Sequence, residues 1–271
     1  MRLDDLPVTD VRSPLVAQRA ELLALLAKLA PDQWARPSAA PGWSVKDVAL
    51  HLLDVDLSWL AHRRDGDTCG LIDGSGSRAE FVRRLAERNQ RWVDGARVLS
   101  PRLVIELLDW SGRQLTEYLE SVDLCGPSSV YWAGPAPLWF DLAREFTERW
   151  VHGRQILEAC TSDRDASADQ YLDLAIRTFV WGFPYQYRAE AAAGTTVGIH
   201  ITGIGSWRLT RGAEAWSLDD GAALAASATL TMTGDTAWRF LTGARYAPDS
   251  VAMAGPGSLL APLLRVRGVI A

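Results

Sequence analysis

Cysteine is scarce in this 271-residue sequence, and its scarcity already excludes one class of protein. The three cysteines, Cys69, Cys125 and Cys160, are widely spaced and form no C-x-x-C pair. An odd, sparse set of this kind fits reduced thiols in the cytosol and argues against a disulfide framework. The first residues lack a basic segment followed by an apolar one, so no signal peptide is predicted. We therefore expect a cytoplasmic protein.

Basic clusters and long apolar runs are missing as well. The net charge is −5 and no stripe of basic and aromatic residues occurs, which argues against a nucleic-acid partner. No stretch of about 20 uninterrupted apolar residues is present, so we predict no membrane span. The sequence does contain 48% apolar and 23% charged residues, an ordinary globular composition, in a chain long enough for one large domain or two modest ones.

Helical periodicity dominates the first 160 residues. It is carried by the ranges 13–30, 44–64, 77–122 and 138–160, the third of which is interrupted near Ser100-Pro101. In the second range the apolar residues recur at steps of three and four, which defines one buried face. Four or five helices of this kind are enough for an up-and-down bundle.

The pattern changes after a short polar segment at residues 161–169. One more helix is predicted around 169–182, and from about residue 195 β-branched and aromatic runs alternate with Gly and Asp turns, which is typical of antiparallel strands. We therefore predict an α+β protein of two domains. Residues 1–162 form a helical bundle, and residues 163–271 form a smaller α+β domain with an antiparallel sheet.

Two of the four histidines stand where they could share a metal ion with a carboxylate. His152 follows Glu148 by four residues, and helical side chains at that spacing share a face, about 6 Å apart at Cβ. His51 of the second helix is a natural third ligand, because bundles build metal sites from inward-pointing side chains. Three protein ligands leave one position open, as in catalytic zinc sites, and this ligand set suits Zn²⁺, with Fe, Ni and Mn as alternatives.

Simpler interpretations of the same residues stay open on spacing alone. Glu148 and His152 lie roughly opposite the apolar stripe of their helix. They could therefore belong to a solvated polar face together with Asp141, Glu145 and Gln155. His51 could be a structural histidine satisfied inside the core. Asp47 follows Ser44 by three residues, a spacing typical of a helix-capping box, and is predicted to cap the helix rather than to support a ligand.

Two segments of the predicted bundle together resemble a known family. Trp34 followed by PGWSVKDVALHLL, and ERWVHGRQIL further along, are similar to the N-terminal domain of the mycothiol-dependent maleylpyruvate isomerases. That family is an actinobacterial branch of the DinB-like four-helix bundles. The segments TLTMTGDTAWRFLTG and VAMAGPGSLLAPLLR are similar, more distantly, to its sterol-carrier-like C-terminal domain. The resemblance therefore implies a DinB-like bundle followed by a sterol-carrier-like domain.

The resemblance also implies a ligand set. In the family, a histidine of the second helix and a Glu-x-x-x-His pair of the last bundle helix bind a divalent metal, usually zinc. These positions correspond to His51, Glu148 and His152. Many members carry an aspartate three residues after the second histidine, where it could support the imidazole. This sequence has Gln155 at that place.

Three further residues are implied in binding the thiol or the substrate. Trp43 and Trp150 are expected in the wall of the thiol cavity. Arg245, in a loosely matching segment, corresponds to an arginine implicated in substrate or thiol binding, where it would pair with a carboxylate. A surface salt bridge is the alternative role for Arg245.

The implied chemistry uses mycothiol as co-substrate, held as a thiolate by the metal. In the isomerases of the family, the sulfur adds to the double bond of maleylpyruvate, the new single bond rotates, and the thiol leaves to give fumarylpyruvate. In other members the sulfur attacks an electrophile and stays attached, which makes them S-transferases. The alternative from another class is a non-catalytic protein that binds an apolar ligand in the sterol-carrier-like domain, with the bundle as scaffold. A homodimer is expected by analogy with DinB-like bundles.

Overall fold

The computed structural model describes residues 6–72, 76–130, 134–221 and 225–268, and it confirms the predicted α+β class. The helices are α1 (Arg12–Ala27), α2 (Pro31–Trp34), α3 (Val45–Trp59), α4 (Arg78–Ala96), α5 (Pro101–Glu120), α6 (Leu138–Cys160), α7 (Leu172–Phe179), α8 (Gly182–Gln186), α9 (Gly234–Thr242) and α10 (Gly257–Leu263). The strands are β1 (Pro127–Val130), β2 (Gly134–Pro137), β3 (Thr196–Thr202), β4 (Gly205–Arg211), β5 (Trp216–Asp220), β6 (Ala228–Thr233) and β7 (Val251–Ala254). No helix in the described ranges has the length and apolar character that a bilayer crossing requires.

Serine caps fix where the long helices begin. The side chain of Ser77 accepts a hydrogen bond from the backbone of Glu80 at the start of α4, and Ser100 does the same for Leu103 at the start of α5. Pro101 occupies the first position of α5, where its missing N–H costs nothing. The predicted interruption of the third helical range near Ser100-Pro101 is therefore confirmed.

Contacts within the chain define two compact units. Asp10–Pro127 and Glu148–Arg164 form the helical unit. Ser128–Thr147, Asp165 and the residues after it, and the segment before Asp10 form the C-terminal unit. Helix α6 contributes residues to both. The domain boundary predicted between residues 162 and 163 stays a prediction.

The core of the helical unit is built around α3. Its predicted apolar face is buried, and Val45, Val48 and Leu52 are at most 1% exposed. Partners come from α1, α4, α5 and α6, among them Leu26, Ala96, Val104, Leu108 and Ile156. Burial of a side chain of this size stabilises the fold by roughly 1.5–3 kcal/mol. Because α3 is packed on several sides, polar residues along it are buried too.

The C-terminal unit contains a five-stranded sheet in the order β5-β4-β3-β6-β7. The pairs β3–β4, β4–β5 and β6–β7 are antiparallel, and the last pair is connected through α9. After β5 the chain crosses to the other side of β3. There β6 runs in the same direction as β3, so this pair is parallel. A separate two-stranded sheet, β1–β2, precedes α6 in the sequence.

Candidate metal centre

A capped helix start sets the position of His51. The side chain of Ser44 accepts a hydrogen bond from the backbone of Asp47, and the Asp47 carboxylate accepts one from the backbone of Ser44, at 3.2 and 3.0 Å. Arg97 of α4 also donates to both carboxylate oxygens of Asp47, at 2.8 and 3.1 Å. This fixed first turn places His51 further along the same helix, where it is only 3% exposed. The capping role predicted for Asp47 is confirmed.

Helix α6 brings Glu148 and His152 to His51. The Nε2 atom of His51 lies 3.1 Å from Oε1 of Glu148, and the ring centroids of His51 and His152 are 4.8 Å apart at an angle of 75°. One possible ligand atom from each of the three residues lies within 4.8 Å of the others. The sequence prediction that these three side chains converge therefore agrees with the geometry.

The triad is not part of a solvated face. The side chain of His51 is 4% exposed and that of Glu148 is 18% exposed. Further back on α6, Asp141 and Glu145 are also buried, at 3% and 4% exposure. The alternative of a solvated polar face is therefore wrong, and the polar side of this helix faces protein.

His152 offers a neutral nitrogen to the centre of the triad. Desolvation by the surrounding protein, and next the nearby His51 ring, lower the pKa of His152 to about 4, although Glu148 and Gln155 act in the opposite direction. His152 is therefore an uncharged imidazole near neutral pH. Its Nδ1 atom lies 2.8 Å from Oε1 of Gln155, which leaves Nε2 as the free ring nitrogen.

Trp43 covers the imidazole pair from one side. Its ring centroid is 5.0 Å from that of His51 and 6.4 Å from that of His152. The indole nitrogen donates a hydrogen bond to Oε1 of Gln90 on α4, at 2.9 Å. Trp43 thus presents its face, and not its N–H group, to the triad. Gln90 was missed by the sequence analysis, because nothing in the spacing of α4 links it to a residue before α3.

The donor set fits a divalent metal ion. Ligands around one tetrahedral zinc ion lie about 3.3 Å apart, since Zn–N and Zn–O bonds are about 2.0–2.2 Å. The separation of 3.1 Å between Nε2 of His51 and Oε1 of Glu148 matches that spacing. Two imidazoles and one carboxylate also supply the nitrogen and oxygen donors that Zn²⁺ binds. His51, Glu148 and His152 are therefore the residues that could hold the ion.

The remaining predicted site residues are Trp150 and Arg245. Trp150 is 3% exposed and lies two residues from both Glu148 and His152, about 200° around the helix axis from each of them. Arg245 is exposed in the loop after α9, in the C-terminal unit, and forms no hydrogen bond or ion pair with a described residue. The expected salt-bridge alternative for Arg245 is thus not seen within the described part of the chain. The roles of Trp150 and Arg245 in binding stay predictions.

A second buried polar cluster lies on the same two helices and was not predicted. Asp56 of α3 is fully buried and accepts hydrogen bonds from Arg19 of α1, Arg149 of α6 and Ser111 of α5, at 2.5, 3.0 and 2.7 Å. Sequence gives little signal for it, because an aspartate on an amphipathic helix has the same pattern whether it is buried or exposed. Its ion pairs and hydrogen bonds connect α1, α3, α5 and α6.

Comparison with known proteins adds relatives for both sequence and fold. Two curated proteins of Mycobacterium tuberculosis, one from each of two strains and both described as uncharacterized, are 29% identical to this chain over 163 residues. That region covers 59% of this chain and 58% of each relative, so the chain matches less than two thirds of their length.

Solved structures resemble the fold over nearly the whole chain. The crystal structure of the mycothiol-dependent maleylpyruvate isomerase and that of a histidine-to-alanine variant of it have TM-scores of 0.57 and 0.59, at 12% identity. The match covers 94% of this chain and 96% of theirs. The family model of the mycothiol maleylpyruvate isomerase N-terminal domain matches residues 15–157, more than half of the sequence. The chain belongs to this family.

Proposed function

We propose that this chain is a metal-dependent enzyme that uses mycothiol, as an isomerase or S-transferase, on a small electrophile such as maleylpyruvate. The observation that carries the proposal is the convergence of His51, Glu148 and His152, with their ligand atoms within 4.8 Å of one another. Membership of the family supports the choice of thiol. Zinc is the proposed metal, because imidazole and carboxylate donors suit it.

A divalent ion at this triad supplies Lewis acidity and favours the thiolate form of a sulfur ligand. The chain's own residues prepare that chemistry. His152 stays neutral because its pKa is about 4, so its nitrogen lone pair is available near neutral pH. Glu148 contributes the single negative charge of the triad, and Trp43 covers the imidazoles with an aromatic face. Arg245 is proposed to bind a carboxylate of the substrate or thiol.

Metal analysis of the tag-free protein is the first test, with one divalent ion per chain as the expected result. Incubation with mycothiol and maleylpyruvate then tests for fumarylpyruvate, and incubation with mycothiol and monochlorobimane tests for a thioether product. Formation of either product supports the proposal and identifies the reaction. An absent metal, together with a His51→Ala variant of unchanged thermal stability and ligand binding, contradicts the enzyme assignment. Bound metal with neither reaction contradicts the thiol assignment.

A cavity in the C-terminal unit favours a second candidate function, a small-ligand-binding protein. Its volume is about 220 Å³, and aromatic rings of Trp139, Phe140, Trp181 and Trp207 line it. Arg177 and Asp220 add one charge of each sign to the wall. Quenching of tryptophan fluorescence by small aromatic compounds tests this candidate. If ligand binding is the only activity, the quenching should be the same in the wild type and in His51→Ala. Loss of quenching in the metal-free or His51→Ala protein would contradict it.

A further inference from the structure

The two imidazoles of the triad differ in what holds their second ring nitrogen. Nδ1 of His152 lies 2.8 Å from Oε1 of Gln155. Nδ1 of His51 is buried and has no hydrogen-bond partner among the described residues. Gln155 is thus the acceptor that the described structure provides for an outer imidazole nitrogen of this centre.

We propose that Gln155 is a positioning residue that holds His152 in its Nδ1–H form and, as an uncharged amide, keeps the centre receptive to an anionic fourth ligand. The proposal rests on the proposed function, since it concerns the same metal centre. It names the class of ligand that this chain's triad favours at the open position, which is a monovalent anion such as a thiolate.

The first half of the proposal follows from the hydrogen bond. An amide oxygen can only accept, so the proton in this contact belongs to Nδ1 of His152, and Nε2 keeps its lone pair. Metal-binding histidines commonly depend on such an outer partner for tautomer and ring orientation, and its loss typically costs 10- to 100-fold in metal affinity. Nδ1 of His51 has no such partner among the described residues, so the outer hydrogen bond that can support this centre is the one at His152.

The second half follows from charge. A divalent ion and the Glu148 carboxylate together carry a net charge of +1, and the Gln155 amide leaves that charge unchanged. A carboxylate in place of the amide would bring the sum to zero. A neutral centre holds the cation more tightly but attracts a monovalent anion less strongly, because the attraction is Coulombic and the site is only partly solvated. Metal affinity and anion affinity should therefore respond in opposite directions.

Three forms of the full-length protein separate these effects. Gln155→Ala removes the acceptor, Gln155→Glu keeps an acceptor of equal length but adds a charge, and Gln114→Ala is the matched control on α5. Zn²⁺ affinity is measured by chelator competition, and thiocyanate affinity by titration of the visible bands of the Co²⁺ form. We expect Gln155→Ala to lose 10- to 100-fold in Zn²⁺ affinity. We expect Gln155→Glu to gain about tenfold for Zn²⁺ while losing about tenfold for thiocyanate, because one added charge at this range changes each affinity by at least that order.

The tautomer is measured independently of metal. Long-range ¹H–¹⁵N correlation in the metal-free protein should show His152 protonated at Nδ1, and Gln155→Ala should shift it toward the Nε2–H form. If the wild type binds no metal, the proposed function fails while this spectrum still decides the role of Gln155. An Nε2–H tautomer in the wild type overturns the proposal. So does a Gln155→Glu variant in which Zn²⁺ and thiocyanate affinities change in the same direction.

Discussion

Two of the buried polar clusters on helices α3 and α6 differ in the chemical groups that they bring together. In the ion-pair cluster, Asp56 accepts hydrogen bonds from Arg19 and Arg149, so cations of the protein face the buried carboxylate. In the triad, His51 and His152 present ring nitrogens and Glu148 presents a carboxylate, and a metal ion is a cation that such a donor set can bind. We call the first cluster closed, because its ion pairs lie within the protein, and the second open, because it is proposed to bind a ligand.

The difference shows what distinguishes a structural polar cluster from a binding site within one core. Burial of Asp56 alone would raise its pKa, yet the charges of Arg19 and Arg149 and the hydrogen bonds to Asp56 outweigh burial, so the pKa is lowered. At His152 the balance is reversed, because burial and the nearby His51 ring outweigh Glu148 and Gln155, and the pKa falls to about 4. A buried polar group without compensation costs stability. A buried polar group of this kind therefore indicates a binding site when a ligand can provide the missing charge or hydrogen bond.

Breaking the closed cluster should have the largest effect. Asp56→Asn removes the carboxylate that faces Arg19 and Arg149, and loss of one partner from a buried ion pair costs about 3–5 kcal/mol. We expect the free energy of unfolding to fall by this amount in urea titrations. Asp109→Asn, which breaks an exposed i,i+4 pair with Arg113, is the control and should change stability by at most about 1 kcal/mol. Equal effects of the two substitutions would show that the Asp56 cluster is not structural.

Breaking the open cluster should affect metal binding more than folding. Zn²⁺ at about 100 times its Kd should raise the free energy of unfolding of the wild type by about 2.7 kcal/mol. His51→Ala should lose this increment while lowering metal-free stability less than Asp56→Asn does. Thermal unfolding with and without Zn²⁺ measures both quantities. His62→Ala removes a histidine outside the triad and should keep the full increment; retention of the increment in His51→Ala would contradict the ligand assignment.

The open cluster was easier to predict from sequence than the closed one. Histidines are few, the spacing of Glu148 and His152 is characteristic of one helix face, and His51 on another predicted bundle helix was the natural third member, which the resemblance then matched. The helix starts were also predictable, because Ser44 and Asp47 form a local capping signal. Each of these inferences uses residues close in sequence or a pattern shared with a family.

The closed cluster and the sheet order depend on distant contacts. Arg19 and Asp56 are 37 residues apart, and charged residues at helical spacing are equally common on solvated faces. The alternation in β3 and β6 predicts strands but does not say that they pair, or that they run parallel. Residue periodicity describes one element at a time, so it gives little information about which elements meet.

Acid should affect the two clusters in different pH ranges in the metal-free protein. The unfolded chain binds a proton at His152 near its usual pKa of 6.5, whereas the folded protein does so only at about 4. Stability therefore falls as the pH drops through this range. Because the pKa of Asp56 is lowered in the folded protein, the carboxylate contributes fully to the free energy of unfolding above pH 3.8, and this contribution is lost only below that value. The urea midpoint measured across this pH range reports both effects. In His152→Gln the change of the midpoint between about pH 6.5 and 4 should disappear, while its change below pH 3.8 should remain. A midpoint in His152→Gln that still changes between about pH 6.5 and 4 as in the wild type would contradict a neutral buried His152.

The smallest effect is expected at Asp47, which supports the triad only through the start of α3. Asp47→Ala removes the capping carboxylate and the partner of Arg97, and loss of a cap typically costs about 1 kcal/mol. Because no ligand is removed, Zn²⁺ affinity should change less than for Gln155→Ala. Glu80→Ala is the matched control, since Ser77 and Glu80 form the same box at the start of α4, which carries no triad residue. Chelator competition on both variants measures the difference. A large loss of Zn²⁺ affinity in Asp47→Ala, with none in Glu80→Ala, would show that the start of α3 contributes to metal binding. The difference between structural and binding clusters in this protein would then be smaller than we expect.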